Sequence, residues 1–209
     1  DDDEMWNKAE AALRDVMNGL GIEYTEEIGE AAFYGPKLDV NVQPAVGNEI
    51  TLSTCQLDFC LPAKFHLSYI DRDGEKKTPV VLHRAILGSL DRFMAYILEE
   101  TKGNLPTWLA PVQVKVLPIS DKYMDYAEKV VNELKESGIR VEIDTRAEKI
   151  GYKIREARLQ KIPYMLVVGA KEEEEKVVSV RSRFKGDEGQ KDLQAFIADI
   201  LEEIRTKEI

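Results

Sequence analysis

The sequence predicts an α+β half followed by an α/β half: an antiparallel sheet with helices at its ends, then a compact α/β domain with a mixed sheet. Three observations predict it. Before residue 100, stretches of strand period follow one another and helix period appears only at the two ends. After residue 110, strands and helices alternate in the order β-α-β-α-β-β-α. Between them, Lys102-Gly103-Asn104-Leu105-Pro106 carries the composition of a linker, placing the domains at 1–104 and 105–209.

Each element has a local reason. Trp6, Ala9, Leu13, Val16, Met17 and Leu20 recur at helical spacing, which predicts a helix over 4–20 stopped by Gly21. Leu38, Val40 and Val42 alternate with polar residues as a strand does. Gly47-Asn48 turns the chain, and Ile50 to Phe59 returns it. Leu67 to Ile70 is a third short strand, followed by the turn Asp71-Arg72-Asp73-Gly74. Pro79 to Leu82 is apolar and suits a buried central strand. Gly88 to Glu100 reads as a helix with Leu90, Phe93, Met94, Ile97 and Leu98 on one face. In the second half the expected strands are Val112–Leu117, Ile139–Ile143, Tyr164–Val168 and Val177–Val180. The expected helices are Asp121–Glu136 (with Ser120 as N-cap), Lys149–Gln160 and Asp192–Ile204.

Of the 209 residues, 44% are hydrophobic and 33% charged, as in ordinary globular domains. No apolar run approaches the roughly 18 residues of a membrane span, so no membrane partner is expected. The start, Asp1-Asp2-Asp3-Glu4, lacks the features of a signal peptide and an initiator Met, so the chain reads as a piece of something longer. Cys55 and Cys60 are poorly spaced for pairing along a strand and suit reduced thiols in a cytoplasmic protein. The net charge of −10 argues against a general nucleic-acid binder. Yet Arg146, Lys149, Lys153, Arg155, Arg158 and Lys161 stand against only Glu148 and Glu156 over residues 146–161. A concentrated basic patch on an acidic protein can hold a polyanion in one register.

The most informative stretch runs Val80-Val81-Leu82-His83-Arg84-Ala85-Ile86-Leu87-Gly88-Ser89-Leu90-Asp91-Arg92-Phe93. It is a strand entering a helix through a glycine, where backbone and helix N-terminus both favour an anion. The fork of Arg92 could clamp a phosphate, and on pattern alone it equally suits a surface ion pair. This stretch resembles motif 3 of class II aminoacyl-tRNA synthetases, in the form found in the threonyl family. Gly29-Glu30-Ala31-Ala32-Phe33-Tyr34-Gly35-Pro36-Lys37 and Thr54-Cys55-Gln56-Leu57-Asp58-Phe59 resemble two further strings of that family, in family order. So does Pro106-Thr107-Trp108-Leu109-Ala110-Pro111, which resembles the entry to its anticodon-binding domain. Arg146 to Ala157 resembles that domain's recognition helix.

The resemblance implies a partial class II sheet followed by an anticodon-binding domain. It implies a parent threonine–tRNA ligase that uses ATP with Mg2+. Arg92 and Lys37 would bind ATP phosphates and serve catalysis, while Tyr34, Gln56 and Ser89 would line the threonine pocket. His83 would be one of three zinc ligands. Zinc has a chemical use there, because threonine and valine are nearly isosteric and a metal can take the threonine hydroxyl. Lys149, Arg155, Glu172 and Arg181 would face the anticodon. On pattern alone the plainer readings prevail, Tyr34 as a loop aromatic, Lys37 as a solvated charge and Gln56 as a polar strand residue, and Glu172 also fits an acidic loop. Four departures from the family pattern, Ile50, Thr51, Ala147 and Ala170, put individual contacts in question.

Nothing resembles motif 1 or motif 2, which in the family supply the dimer interface and the α-phosphate arginine. The other two zinc ligands also lie upstream. The piece is therefore expected to be inactive alone, to bind zinc weakly, and to expose apolar surface. Its expected partners are tRNA(Thr), threonine and ATP, with a homodimer for the full-length protein. The rival reading is a non-catalytic RNA-binding paralogue, against which the intact Tyr34, Lys37, Gln56, His83 and Arg92 speak.

Overall fold

The computed structural model describes residues 3–208; Asp1 and Asp2 of the acidic start, and Ile209, lie outside them. The chain forms two compact units, Asp1–Glu99 and Glu100–Ile209.

The first unit begins with α1 (Asp3–Leu20), which buries Ala9 and sets Trp6 edge-on against Phe59 at 5.4 Å. Strands β1 (Lys37–Val42) and β2 (Ile50–Asp58) pair antiparallel, with a bulge between Val40 and Asn41. A single helical turn, α2 (Leu61–Lys64), follows; four residues are too few to show a period in sequence. The expected strand at Leu67–Ile70 contracts to β3 (Tyr69–Ile70), which forms a hairpin with β4 (Lys76–Lys77). The turn between them closes as its residues demand: the Gly74 N–H donates to the Asp71 carbonyl at 2.9 Å.

β5 (Val81–Ala85) pairs with the other side of β2, giving the order β1-β2-β5. This corrects the expected buried central strand at Pro79–Leu82. The strand starts later and lies at the sheet edge, with Leu82 61% exposed. Its apolar run was read as burial, but β2 holds the centre and no described strand lies beyond β5. α3 (Leu90–Glu100) ends the unit, with Ser89 Oγ accepting the Arg92 N–H at 3.3 Å as an N-cap. Among the described residues of this unit only Ala9 and Leu52 are buried hydrophobics. Phe33, Phe65, Ile70, Leu82, Ile86 and Leu90 are exposed. The expected apolar surface is there.

The second unit is a mixed sheet, as the sequence predicts, with a fifth strand beyond the four expected. In chain order come β6 (Val114–Pro118), a 3-10 turn (Asp121–Tyr123) and α4 (Met124–Glu136). Then follow β7 (Val141–Ile143), α5 (Ile150–Leu159), β8 (Tyr164–Val168), α6 (Ala170–Glu175), β9 (Val177–Ser182), β10 (Gly186–Asp192) and α7 (Leu193–Thr206). Ser120 is extended but its hydroxyl caps nothing, so a 3-10 turn precedes α4. Asp192, expected inside the last helix, caps it instead, accepting from the Ala195 N–H at 3.0 Å.

The sheet order is β10-β9-β8-β6-β7, with β6 parallel to both β7 and β8. One face packs Val114, Val116, Leu166 and Val180 against Val130 and Leu134 of α4 and Phe196 and Ile200 of α7. The other packs Leu117, Met165 and Val167 under Ala157 and Ile154 of α5. Lys153 of α5 is 1% exposed, and its ammonium donates to the Pro118 and Asp144 carbonyls at 3.0 and 3.1 Å. It ties together the C-terminal ends of β6 and β7. Because the second unit holds nearly all the buried apolar surface, Phe196→Ala is expected to destabilise it by about 3–5 kcal/mol in chemical denaturation. Leu82→Ala at the exposed edge is expected to change stability by under about 0.5 kcal/mol.

Candidate functional site

Register builds the first cluster. Lys37 of β1 sits opposite Gln56 of β2, and Gln56 sits opposite His83 of β5. Directly opposed residues of an antiparallel pair share a face, so these three side chains form one row across the sheet. Tyr34 joins it from the loop before β1. Its hydroxyl donates to Gln56 Oε1 at 2.6 Å, and its ring meets the His83 ring edge-on at 5.7 Å. That loop can lie along β2 only because of Gly35: a Cβ there would come within 2.0 Å of the Leu57 carbonyl oxygen. The Leu57 and Phe59 N–H groups donate to Pro36 and Tyr34 carbonyls, fixing the loop at 3.0 and 3.2 Å.

Two carboxylates complete the row. Asp39, two residues after Lys37 on the same face, accepts from its ammonium at 2.6 Å. That bond raises the pKa of Lys37. Asp58, two residues after Gln56, is fully buried and lies 2.7 Å from His83 Nε2. Burial pushes its pKa up, but hydrogen bonds from His83 and from the Leu61 and Cys60 N–H groups outweigh burial and hold it below the usual range. An ionised Asp58 accepts only, so His83 Nε2 carries the proton between them and Nδ1 is left facing away from the carboxylate. Sequence reasoning gave Asp58 no role; its position two residues beyond Gln56 on one strand was the available signal.

Ser89 and Arg92 lie elsewhere. Gly88, at positive φ, approaches the Leu52 carbonyl where a Cβ would stand 2.6 Å away, and α3 starts there. The Arg92 guanidinium donates to the Thr51 carbonyl at 3.2 Å. Thr51 is five residues up β2 from Gln56, which is about 16 Å of strand. The structure thus brings Tyr34, Lys37, Gln56 and His83 into one row, and the Arg92 guanidinium meets the backbone of the same strand further along. As for a metal, no group of three or more His, Cys, Asp or Glu side chains among the described residues could hold an ion. His83 alone, with its Nε2 anchored by a buried carboxylate, has the arrangement of one ligand and not of a site. Cys55 and Cys60 are unpaired, half-buried thiols.

The second unit gathers its candidates on one face of the sheet. Lys149 is the N-cap residue of α5, and Arg155 is exposed nearly two turns further along. The same face carries Met165, opposite Arg181 of β9, and Val167, opposite Ser179. Arg181 pairs with Asp187 of β10. Glu172 is buried at the start of α6. Its carboxylate accepts from the Gly169 N–H at 2.9 Å, the Ser179 hydroxyl at 2.7 Å and the Gln190 amide at 3.2 Å. Burial raises its pKa, and these bonds more than reverse that. With three of its roughly four acceptor positions used, Glu172 has about one left for a ligand. Pattern alone also allowed Glu172 to belong to an acidic loop; the structure holds its carboxylate, and Ser179 and Gln190 are the residues the sequence did not reveal.

Comparisons with known proteins cover both units. Residues 1–101 match the family described as tRNA synthetase class II core domain (G, H, P, S and T), and residues 113–203 match that described as Anticodon binding domain. A threonine–tRNA ligase of Staphylococcus saprophyticus is 57% identical over 99% of this chain, and one of Geobacillus kaustophilus 55%. The chain belongs to the threonyl-tRNA synthetase family. It spans about a third of these relatives, 32% of each. The crystal structure of the RNA binding domain of threonyl-tRNA synthetase from Cryptosporidium parvum is 40% identical, with a TM-score of 0.87. That match covers 96% of this chain and 51% of the other. A prolyl-tRNA synthetase from the same organism, 20% identical at TM-score 0.70, covers 96% of this chain and 46% of its own and shares the fold.

Asp58 supplies a pH test. Its folded pKa is depressed, so its stabilisation is full above the unfolded value near about 3.9 and fades as pH falls through the folded one. Asp58→Asn is expected to lower the denaturation midpoint at pH 7 and to converge with the unsubstituted chain once the pH falls below the depressed folded pKa of Asp58. An equal loss at both pH values would remove the charge from the account.

Proposed function

We propose that this chain supplies part of a threonine–tRNA ligase: one wall of the threonine and ATP pocket in residues 1–104, and anticodon recognition in residues 105–209. The row Lys37–Gln56–His83, with Tyr34 bonded to Gln56, carries this reading. A family resemblance could arise from scattered residues, whereas this row brings the threonyl strings to one face.

In the proposed site Tyr34, Gln56 and Ser89 contact threonine. Lys37 and Arg92 bind ATP phosphates and stabilise charge as threonine is activated to its adenylate. Positioning and fixed charge are the protein's main contribution to such chemistry. Lys37 releases Asp39 when a phosphate arrives, and Arg92 releases the Thr51 carbonyl; both are long side chains able to swing. His83, held by Asp58, would give zinc one ligand, with the others supplied from outside these residues, and the metal would supply a Lewis acid for the threonine hydroxyl. ATP enters with Mg2+. The exposed apolar side chains of the first unit and the open edge of β5 support the view that further class II core packs here. A homodimer of the full-length protein and a cytoplasmic setting belong to the same proposal.

For the second unit, splayed anticodon bases are read by stacking and by edge hydrogen bonds. Lys149 and Arg155 meet the phosphates and bases, while Glu172 accepts from a base amino group. Arg181 donates once it leaves Asp187. The test is binding of tRNA transcripts with substituted anticodons to the 209-residue chain. Threonine anticodons are expected to bind tightest, with Arg155→Ala weakening them by about tenfold. Binding indifferent to the anticodon would refute the proposal for this unit. The same chain is expected to give no threonine-dependent ATP–pyrophosphate exchange, and a measurable rate would refute its dependence on further residues.

A further inference from the structure

The second unit holds an exposed aromatic and an exposed guanidinium to which the anticodon reading assigns nothing. Tyr152 lies on α5 with its side chain 45% exposed. Residues three apart share a helix face, so Tyr152 sits between Lys149 and Arg155, one turn from each. The guanidinium of Arg146 lies over its ring, 5.5 Å from the centroid.

Arg146 is held there by a buried group. The Asp144 carboxylate, 2% exposed, accepts from Arg146 Nε at 2.9 Å and from Nη2 at 2.7 Å, while its Oδ1 also takes the Arg146 backbone N–H at 3.2 Å. This two-point geometry fixes the plane of the guanidinium as well as its position. The Asp144 carbonyl is in turn tied to that of Pro118 through the buried ammonium of Lys153. The loop from β7 into α5 is thus anchored from below by two buried charges, and its upper side carries an arginine plane and a tyrosine ring in fixed relation. The place is also distinctive. The connections leaving the adjacent parallel strands β6 and β7 run to α4 and α5 on opposite faces of the sheet. Ligands of open α/β sheets settle in the crevice such a divergence creates at the strands' C-terminal ends.

We propose that Tyr152 and Arg146 form a stacking platform for one unpaired RNA base, set in the middle of the basic stripe Lys149–Arg155. A base stacks on an aromatic ring or a guanidinium plane whatever its identity. The platform therefore contributes affinity and holds the loop splayed, while base identity is read by other groups. Ordering of both planes before binding means little conformational freedom is lost when the base arrives.

This inference rests on the anticodon reading above, and the experiment separates the two. The 209-residue chain is titrated with the tRNA(Thr) anticodon stem-loop, and the same loop carrying 5-iodouridine at each unpaired position in turn is irradiated. One position is expected to crosslink to Tyr152. Tyr152→Leu is expected to weaken binding by about tenfold, equally for matched and mismatched bases at that position, while Tyr152→Phe, which keeps the ring, stays near the unsubstituted affinity. A chain that discriminates anticodons yet binds as tightly with Tyr152→Leu overturns the platform alone. A chain whose binding ignores the anticodon overturns the platform and the reading beneath it. Circular dichroism of the exposed-site variant shows that a lost affinity is not a lost fold.

Discussion

Gln56 stands opposite Lys37 on one side and His83 on the other, and the first unit's site depends on that register. A slip of one residue in either pairing would turn a whole strand's side chains over. Lys37 or His83 would then face away from Tyr34, and Asp58 could no longer reach the imidazole. Two glycines hold the register from outside the sheet. Gly35 lets the Tyr34 loop lie against β2, and Gly88 lets the chain leaving β5 turn close to Leu52. Neither tolerates a side chain without moving the backbone opposite.

The two units solve the burial of charge in different ways. In the first, the buried Asp58 carboxylate is satisfied by an imidazole and two backbone N–H groups. In the second, the buried Lys153 ammonium is satisfied by two carbonyls, and buried Asp144 by an arginine. Each arrangement compensates the desolvation of its charge with directed bonds. Each also fixes the groups above it: the His83 tautomer in one unit, the Arg146 plane in the other. The structural cost of a buried charge is thereby coupled to the orientation of an exposed one.

Much of this was legible in the residues. The helices of residues 4–20, 88–100 and 192–204 were visible as period, and the β-α-β-α-β-β-α order of the second half as alternation. Three of the strings that resemble the threonyl family carried Tyr34, Lys37, Gln56 and His83. What was not legible has definite reasons. Val80 to Leu82 is apolar, which looks the same in a central strand as in an exposed edge. Gly186 to Asp192 has almost no apolar residues, so β10 had no pattern to show and exists because β9 offers it a partner. Glu172 stood in a run of four glutamates, and nothing in the run distinguishes the one whose carboxylate turns inward to Gly169, Ser179 and Gln190.

Local sequence by itself determined the type of each element, the division into two unlike halves, and the family, because period, turn chemistry and short strings are properties of neighbouring residues. Only the tertiary structure decided which of those residues meet. It joined Asp58 to His83 across 25 positions and Glu172 to Gln190 across 18. It placed the Arg92 guanidinium against the Thr51 carbonyl. It also laid Arg146 over Tyr152. Pairings of this kind follow from strand register and helix docking, which are set by the burial of the whole sheet and are written in no single segment.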